Sequence, residues 1–149
     1  MRPLALCLAG LLFATSAPAQ PLPRITAPVY GNWCGPGHPA DIPTAPPPID
    51  PLDAACQRHD YCYAARGRNT CGCDLALLQE LRTTRWPTPA LQQNARAIYD
   101  AMALVPCDNP QGMASKETLF AFDLLTDMLG GRATPQDVPR RWWQLLGGN

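Results

Sequence analysis

The sequence predicts a mostly α-helical domain cross-linked by disulfides, with little or no sheet. Apolar residues recur at three- and four-residue spacing along much of the chain beyond Leu52, as one face of a helix requires. Of 18 prolines, twelve precede Leu52 and none lies between Leu52 and Trp86. The first third is therefore closed to regular helix or central strand, and the remainder is open to helix. The cysteine count, read together with the N-terminus, points to bridges rather than thiols.

Met1 and Arg2 precede an apolar run of 12 residues, Pro3 to Ala14, followed by the small-x-small site Ala17-Pro18-Ala19. A charged start, an apolar stretch and such a site mark a secretory signal removed before Gln20. The run is too short for a bilayer span, which needs roughly 20 residues. We therefore expect residues 1–19 to be a signal peptide and residues 20–149 to form one exported domain, secreted or periplasmic. Cleavage removes Cys7 and leaves six cysteines, an even count that argues for three disulfides in an exported chain. Their pairing is open, since six cysteines can combine in fifteen ways. The 12 Lys and Arg balance the 12 Asp and Glu, which excludes nucleic-acid binding by bulk charge and an acidic disordered tail. Losing Arg2 leaves a net charge of about −1, so net charge would draw the domain only weakly to anionic membranes.

Gln20 to Pro51 carries ten prolines together with Gly31, Gly35 and Gly37, and reads as extended segments and turns, partly polyproline-like over Pro43 to Pro48. From Leu52 to Gly67 the residues Leu52, Ala55, Cys56, His59, Cys62 and Tyr63 share one helical face, and Gly67 suits the stop. A second helix is expected from about Gly72 to Trp86, where Cys73, Leu77, Leu78 and Leu81 form another stripe before Pro87. Two helices joined by so short a link are normally antiparallel neighbours. Further helices are expected at Pro89 to Val105, at Ser115 to Leu129 with Gly130 as its stop, and at Pro135 to Leu146. Thr134 and Asp137 suit a capped start for the last of these.

Asp74 falls on the stripe of Leu77, Leu78 and Leu81, a carboxylate on a face meant for burial, and there it needs a partner. His59 falls in the same way on the inner face of the first helix. Were Cys62 bonded to Cys73 across antiparallel helices, His59 and Asp74 would meet. A buried Asp on one imidazole nitrogen leaves the other free as a general base. Asp60 points about 100° away from His59 on an α-helix. A Cys34–Cys56 bond would hold the loop Tyr30-Gly31-Asn32-Trp33-Cys34-Gly35-Pro36-Gly37-His38 beside it. Glycines let carbonyls turn toward one point, and calcium takes carboxylate, carbonyl and water oxygens.

Asp53-Ala54-Ala55-Cys56-Gln57-Arg58-His59-Asp60-Tyr61-Cys62-Tyr63 resembles the active-site helix of secreted phospholipases A2, whose core is C-x-x-H-D-x-C-Y. Upstream, Tyr30-Gly31-x-x-Cys34-Gly35-x-Gly37 resembles the calcium loop of that family. Downstream, Cys71-Gly72-Cys73-Asp74 resembles its C-x-C-D second helix. The three motifs stand in the family's order and cover Tyr30 to about Leu81, roughly a third of the chain.

The resemblance implies a pair of antiparallel active-site helices preceded by a calcium loop and followed by additional helices. It implies His59 as the base that activates water against the sn-2 ester, with Asp74 orienting its ring and Tyr63 bonded to that carboxylate. Asp60 and the carbonyls of Trp33, Gly35 and Gly37 would hold Ca2+, and the Gly35 N–H would serve as a further donor. It also implies bonds Cys34–Cys56 and Cys62–Cys73, which leaves Cys71 with Cys107. The expected partner is a phospholipid membrane surface or micelle, met by a monomer, with no nucleic acid involved.

The chain departs from the family pattern in several places. His38 stands where a further glycine is usual, Pro-rich sequence separates Cys34 from Cys56, and Pro21, Pro23 and Pro28 forbid an N-terminal helix. The short link between the helices leaves no room for a β-hairpin, and Ala55 and Glu80 occupy the positions of a usual cysteine pair. Trp86, Trp142, Trp143, Leu145 and Leu146 would either pack the terminal helices or form a rim against lipid. Two other readings stand beside the hydrolase: a catalytically inactive binding protein or toxin of the same family, and a zinc cluster built from Cys34, His38, Cys56, His59, Cys62, Cys71 and Cys73.

Overall fold

The computed structural model describes residues 27–146, so the signal-peptide reading of residues 1–19 lies outside the described residues. A single 3₁₀ turn at Ile42–Thr44 is followed by α1 (Pro51–Arg66), α2 (Cys71–Thr83), α3 (Pro89–Leu104), α4 (Pro110–Leu129) and α5 (Asp137–Leu145). There is no strand among the described residues, only an isolated bridge between Tyr30 and Cys34. No described helix is long and apolar enough to cross a membrane.

Prolines set three of the helix starts. Each of α1, α3 and α4 has Pro at its first position, where the missing N–H costs nothing, behind a capping side chain. Asp50 accepts the Leu52 and Asp53 N–H groups, Thr88 accepts Leu91 N–H, and Asn109 accepts Gly112 N–H. Such a cap contributes about 1 kcal/mol. The Asn109-Pro110 start puts the beginning of α4 five residues before the expected Ser115. Helix α2 ends earlier than expected, at Thr83 rather than Trp86. Beyond that end the Trp86 ring turns back, and its Nε1–H donates to the Leu81 carbonyl at 3.2 Å. One 3₁₀ turn interrupts the prolines that were expected to be polyproline-like.

Helices α1 and α2 run antiparallel. Cys62 is bonded to Cys73, while Arg58, one turn back on α1, pairs with Glu80, two turns on along α2. Glu80 stands where the resemblance led one to look for a cysteine, so an exposed ion pair of about 0–1 kcal/mol crosses there instead of a covalent bond. The remaining bonds are Cys34–Cys56 and Cys71–Cys107, so all six cysteines of the described residues are paired as expected. That removes the thiolates a zinc cluster would need.

α2 is the central helix, packed against α1, α3 and α4, and α3 in turn carries α5. Between them Leu52, Leu77, Leu78, Leu81, Trp86, Ile98 and Tyr99 form a core that also takes in Trp33 and the Cys34–Cys56 bridge. The loop before α1 is thus part of the core rather than an appendage. Buried charges are paired across helices: Asp123 of α4 accepts from Arg82 and Tyr99, and Asp100 of α3 accepts from Arg141 of α5. Trp86 is buried and Leu145 packs on the core, whereas Trp143 and Leu146 are exposed, which divides the expected apolar cluster in two.

Candidate active site

The inner faces of α1 and α2 meet at Asp74, which is wholly buried in the first turn of α2. Its Oδ1 lies 3.0 Å from His59 Nε2 and accepts the Tyr63 hydroxyl, both from α1. His59 and Tyr63 are one turn apart, so both reach the same oxygen, and their rings lie 4.1 Å apart between centroids. The other oxygen, Oδ2, accepts from Lys116 Nζ of α4 at 2.5 Å, and the same ammonium donates to the Val105 carbonyl at 2.6 Å. Burial pushes the Asp74 carboxyl up, but the hydrogen bonds from His59, Lys116 and Tyr63 outweigh it and hold the group below the usual carboxylate range. An ionised carboxylate can only accept, so a neutral His59 bonded to it carries its proton on Nε2. The lone pair is then on Nδ1. That nitrogen points to the Asp60 side of α1, 3.9 Å from Asp60 Oδ1.

Among the described residues, Asp60 differs from the other buried polar atoms without a hydrogen-bond partner, those of Arg96, Asp100 and Arg141, which sit in ion pairs between arginine and aspartate. Asp60 Oδ2 is buried with no hydrogen-bond partner, and desolvation, reinforced by Asp53 and only partly offset by Arg68, pushes its carboxyl up to about 7. An acceptor so placed calls for a hydrogen-bond donor, a proton or a cation.

The loop that would supply the rest of a cation site is held by Asp53, fully buried in the first turn of α1. Its Oδ1 accepts the Trp33 N–H at 2.8 Å, and its Oδ2 accepts the N–H groups of Asn32 and Ile49 at 2.9 and 3.0 Å. Gly31 makes the approach possible. It has φ +58°, and a Cβ there would lie 2.4 Å from the Asp53 carboxylate. At Gly35 a Cβ would fall 2.1 Å from the Ala27 carbonyl oxygen. The Cys34–Cys56 bond joins this loop to α1 one turn before Asp60, and the Trp33 ring lies 5.6 Å from that of Tyr61, the next residue after Asp60. Among the described residues, no backbone N–H donates to the carbonyls of Trp33 or Gly37, while that of Gly35 accepts from His38 N–H at 3.2 Å. Carbonyl oxygens of this loop with the unsatisfied Asp60 oxygen would make a hard, all-oxygen donor set of the kind that suits calcium.

Of the expected residues, His59, Asp74 and Tyr63 come together directly, while the loop of Trp33, Gly35 and Gly37 is tied to the helix that carries Asp60 through the Cys34–Cys56 bond and the Trp33–Tyr61 contact. Lys116 and the latching role of Asp53 were not anticipated. A signal for Lys116 exists, since Gly112, Lys116, Leu119, Phe120 and Asp123 fall on one face of α4, so that the chain's only lysine sits on an inward stripe.

These features define a disulfide-linked helical site in which a histidine is bonded to a buried aspartate, with a candidate cation ligand, Asp60, next to it in sequence. Two proteins named phospholipase A2 from Scolopendra dehaani are similar to the chain. One is 37% identical over 65 residues, 44% of this chain and 40% of that protein, and the other is 42% identical over 43 residues, 29% and 25% of the respective chains. The chain thus spans well under half the length of these relatives. No family model and no solved structure matches it. The similarity is to phospholipases A2 over a partial stretch.

Proposed function

We propose that the chain is a calcium-dependent hydrolase of the sn-2 ester of glycerophospholipids, releasing a fatty acid and a lysophospholipid. The observation that carries this reading is the division of labour around His59. Its Nε2 is fixed on the buried Asp74, and its Nδ1 is left on the side of the unsatisfied Asp60 carboxylate. His59 Nδ1 would take a proton from water as the water oxygen adds to the ester carbonyl, and would return it to the departing glycerol oxygen. Asp74 would stabilise the imidazolium between those steps, and Tyr63 would keep the carboxylate turned toward the ring. Asp60 with the carbonyls of Trp33, Gly35 and Gly37 would hold Ca2+, which when bound supplies an electrophile for the ester oxygen. The Gly35 N–H would add a donor for the oxyanion.

The three disulfides are in keeping with an extracellular or periplasmic protein. The substrate would be met at a membrane or micelle surface by a monomer. A phospholipid labelled in its sn-2 chain tests the reading: label should appear as free fatty acid with calcium present and not with a chelator. Calcium binding without any release of fatty acid would favour a family member that binds rather than cleaves.

A further inference from the structure

The Asp74 carboxylate serves two masters. Its Oδ1 faces α1, where it takes His59 and Tyr63, and its Oδ2 faces α4, where it takes Lys116. Lys116 has no exposed surface. A buried ammonium is costly unless it is paired and its donors are used, and here two of its three N–H groups are aimed at Asp74 Oδ2 and at the Val105 carbonyl just past the end of α3. One side chain therefore joins the start of α2, the end of α3 and the second turn of α4.

The start of α4 is pinned to the start of α2 independently of this contact. Cys71 is bonded to Cys107, the Cys71 N–H donates to Asp108 Oδ1 at 3.1 Å, and the neighbouring Asn109 caps α4. The position of Lys116 is thus set by the backbone, and it is the lysine that constrains the carboxylate. Remove the ammonium, and Oδ2 becomes a buried acceptor without a partner. A buried carboxyl without its cation can then take a proton, and turned so that the O–H donates to His59 Nε2 it moves the imidazole proton to Nδ1.

We propose that Lys116 is a positioning residue for ester hydrolysis: by occupying Asp74 Oδ2 it presents Oδ1 to His59 Nε2, and so fixes which imidazole nitrogen holds the proton and which acts as base. This rests on the reading of His59 as the base. Lys116 reaches neither that base nor the loop beside Asp60, and it acts only through Asp74. Metal binding is therefore independent of it, and so is the binding of substrate.

Lys116→Met, which keeps the length and loses the charge and donors, separates this role from simple packing when compared with Lys116→Arg. Ring ¹⁵N spectra of His59 in the neutral state should show one tautomer, protonated at Nε2, in wild type and Lys116→Arg, and a mixture in Lys116→Met. kcat should fall about 10–100-fold in Lys116→Met, as for loss of a group that orients a functional ligand. KM and calcium affinity should hold, and Lys116→Arg should recover most of the rate. An unchanged tautomer, or a rate loss that arginine does not repair, would overturn the proposal. Should Lys116→Met alone fail to fold, Asp74→Asn and Asp74→Asn/Lys116→Met replace it in the comparison. A positioning role through Asp74 requires equal kcat in that pair, and a further fall in the double variant would overturn it. The tautomer spectra need no turnover. A wild-type protein that releases no fatty acid would therefore defeat the proposed function while leaving the placement of Lys116 to be decided by the spectra.

Discussion

Asp53 Oδ1 accepts the Trp33 backbone N–H at 2.8 Å, so a carboxylate of α1 holds the loop that is proposed to share a cation with a different carboxylate, Asp60, of the same helix. With Asn32 and Ile49 donating to its other oxygen, Asp53 fixes both the loop and the chain entering α1. One helix thus supplies the latch, the proposed base and the candidate anionic ligand.

Asp53→Asn should weaken calcium binding without removing a ligand. An amide has one acceptor oxygen in place of two, so at least one loop N–H group loses its partner, at a cost of about 1–3 kcal/mol. Thermal unfolding should show that loss, and titration calorimetry should show calcium affinity reduced alongside it. Unchanged affinity in a destabilised protein would mean that the loop geometry does not depend on the latch.

Asp60→Asn should behave in the opposite way. It removes the carboxylate proposed as the anionic calcium ligand and with it tight calcium binding, because an amide lacks the charge. The fold should persist, and the calcium-free protein at pH 8 should be at least as stable as wild type, since burial already penalises the ionised Asp60. Calorimetry and a melting curve on one sample check both halves, and a variant that still binds calcium tightly would place the metal elsewhere.

Stability of the calcium-free protein should fall with rising pH where Asp60 titrates. Its carboxyl is pushed from an ordinary value of 3.8 to about 7, chiefly by desolvation. Between those values the folded state keeps a proton that the unfolded state has lost. The contribution is therefore complete below about pH 4 and is lost as pH rises through about 7. Calcium should reverse the trend, binding more tightly as pH rises to about 7 and levelling above it, with proton release on binding below that point. Calorimetry in two buffers of different ionisation enthalpy counts those protons, and a pH-independent affinity would contradict the assignment of Asp60.

Much of this site could be read from sequence because its residues lie in one short segment, where helical spacing fixes which side chains share a face. His59 and Tyr63 sit one turn apart, and Asp74 stood out as a charge on an apolar stripe. The pairing of Cys34, Cys56, Cys62 and Cys73 came with the resemblance rather than from spacing. What escaped was non-local or hidden in loop chemistry. Lys116 reaches Asp74 from 42 residues away, and only the packing of α4 on α2 reveals it. Asp53 was visible as part of a motif, but its bonds go to backbone N–H groups, which have no sequence signal. The helix expected from Ser115 begins instead at Pro110 behind the Asn109 cap, the same capping residue followed by proline with which α1 and α3 begin.

The base is tested most directly by His59→Gln, with calcium binding and release of sn-2 fatty acid measured on the same preparation. Glutamine keeps a similar size and can still bond Asp74, yet has no nitrogen able to take a proton near neutral pH. The account predicts that calcium affinity is retained, because His59 is not among the proposed ligands. Hydrolysis should fall by about 10²–10⁴-fold, the range for loss of a positioned general base. A His59→Gln protein that binds calcium normally and cleaves at the wild-type rate would contradict it.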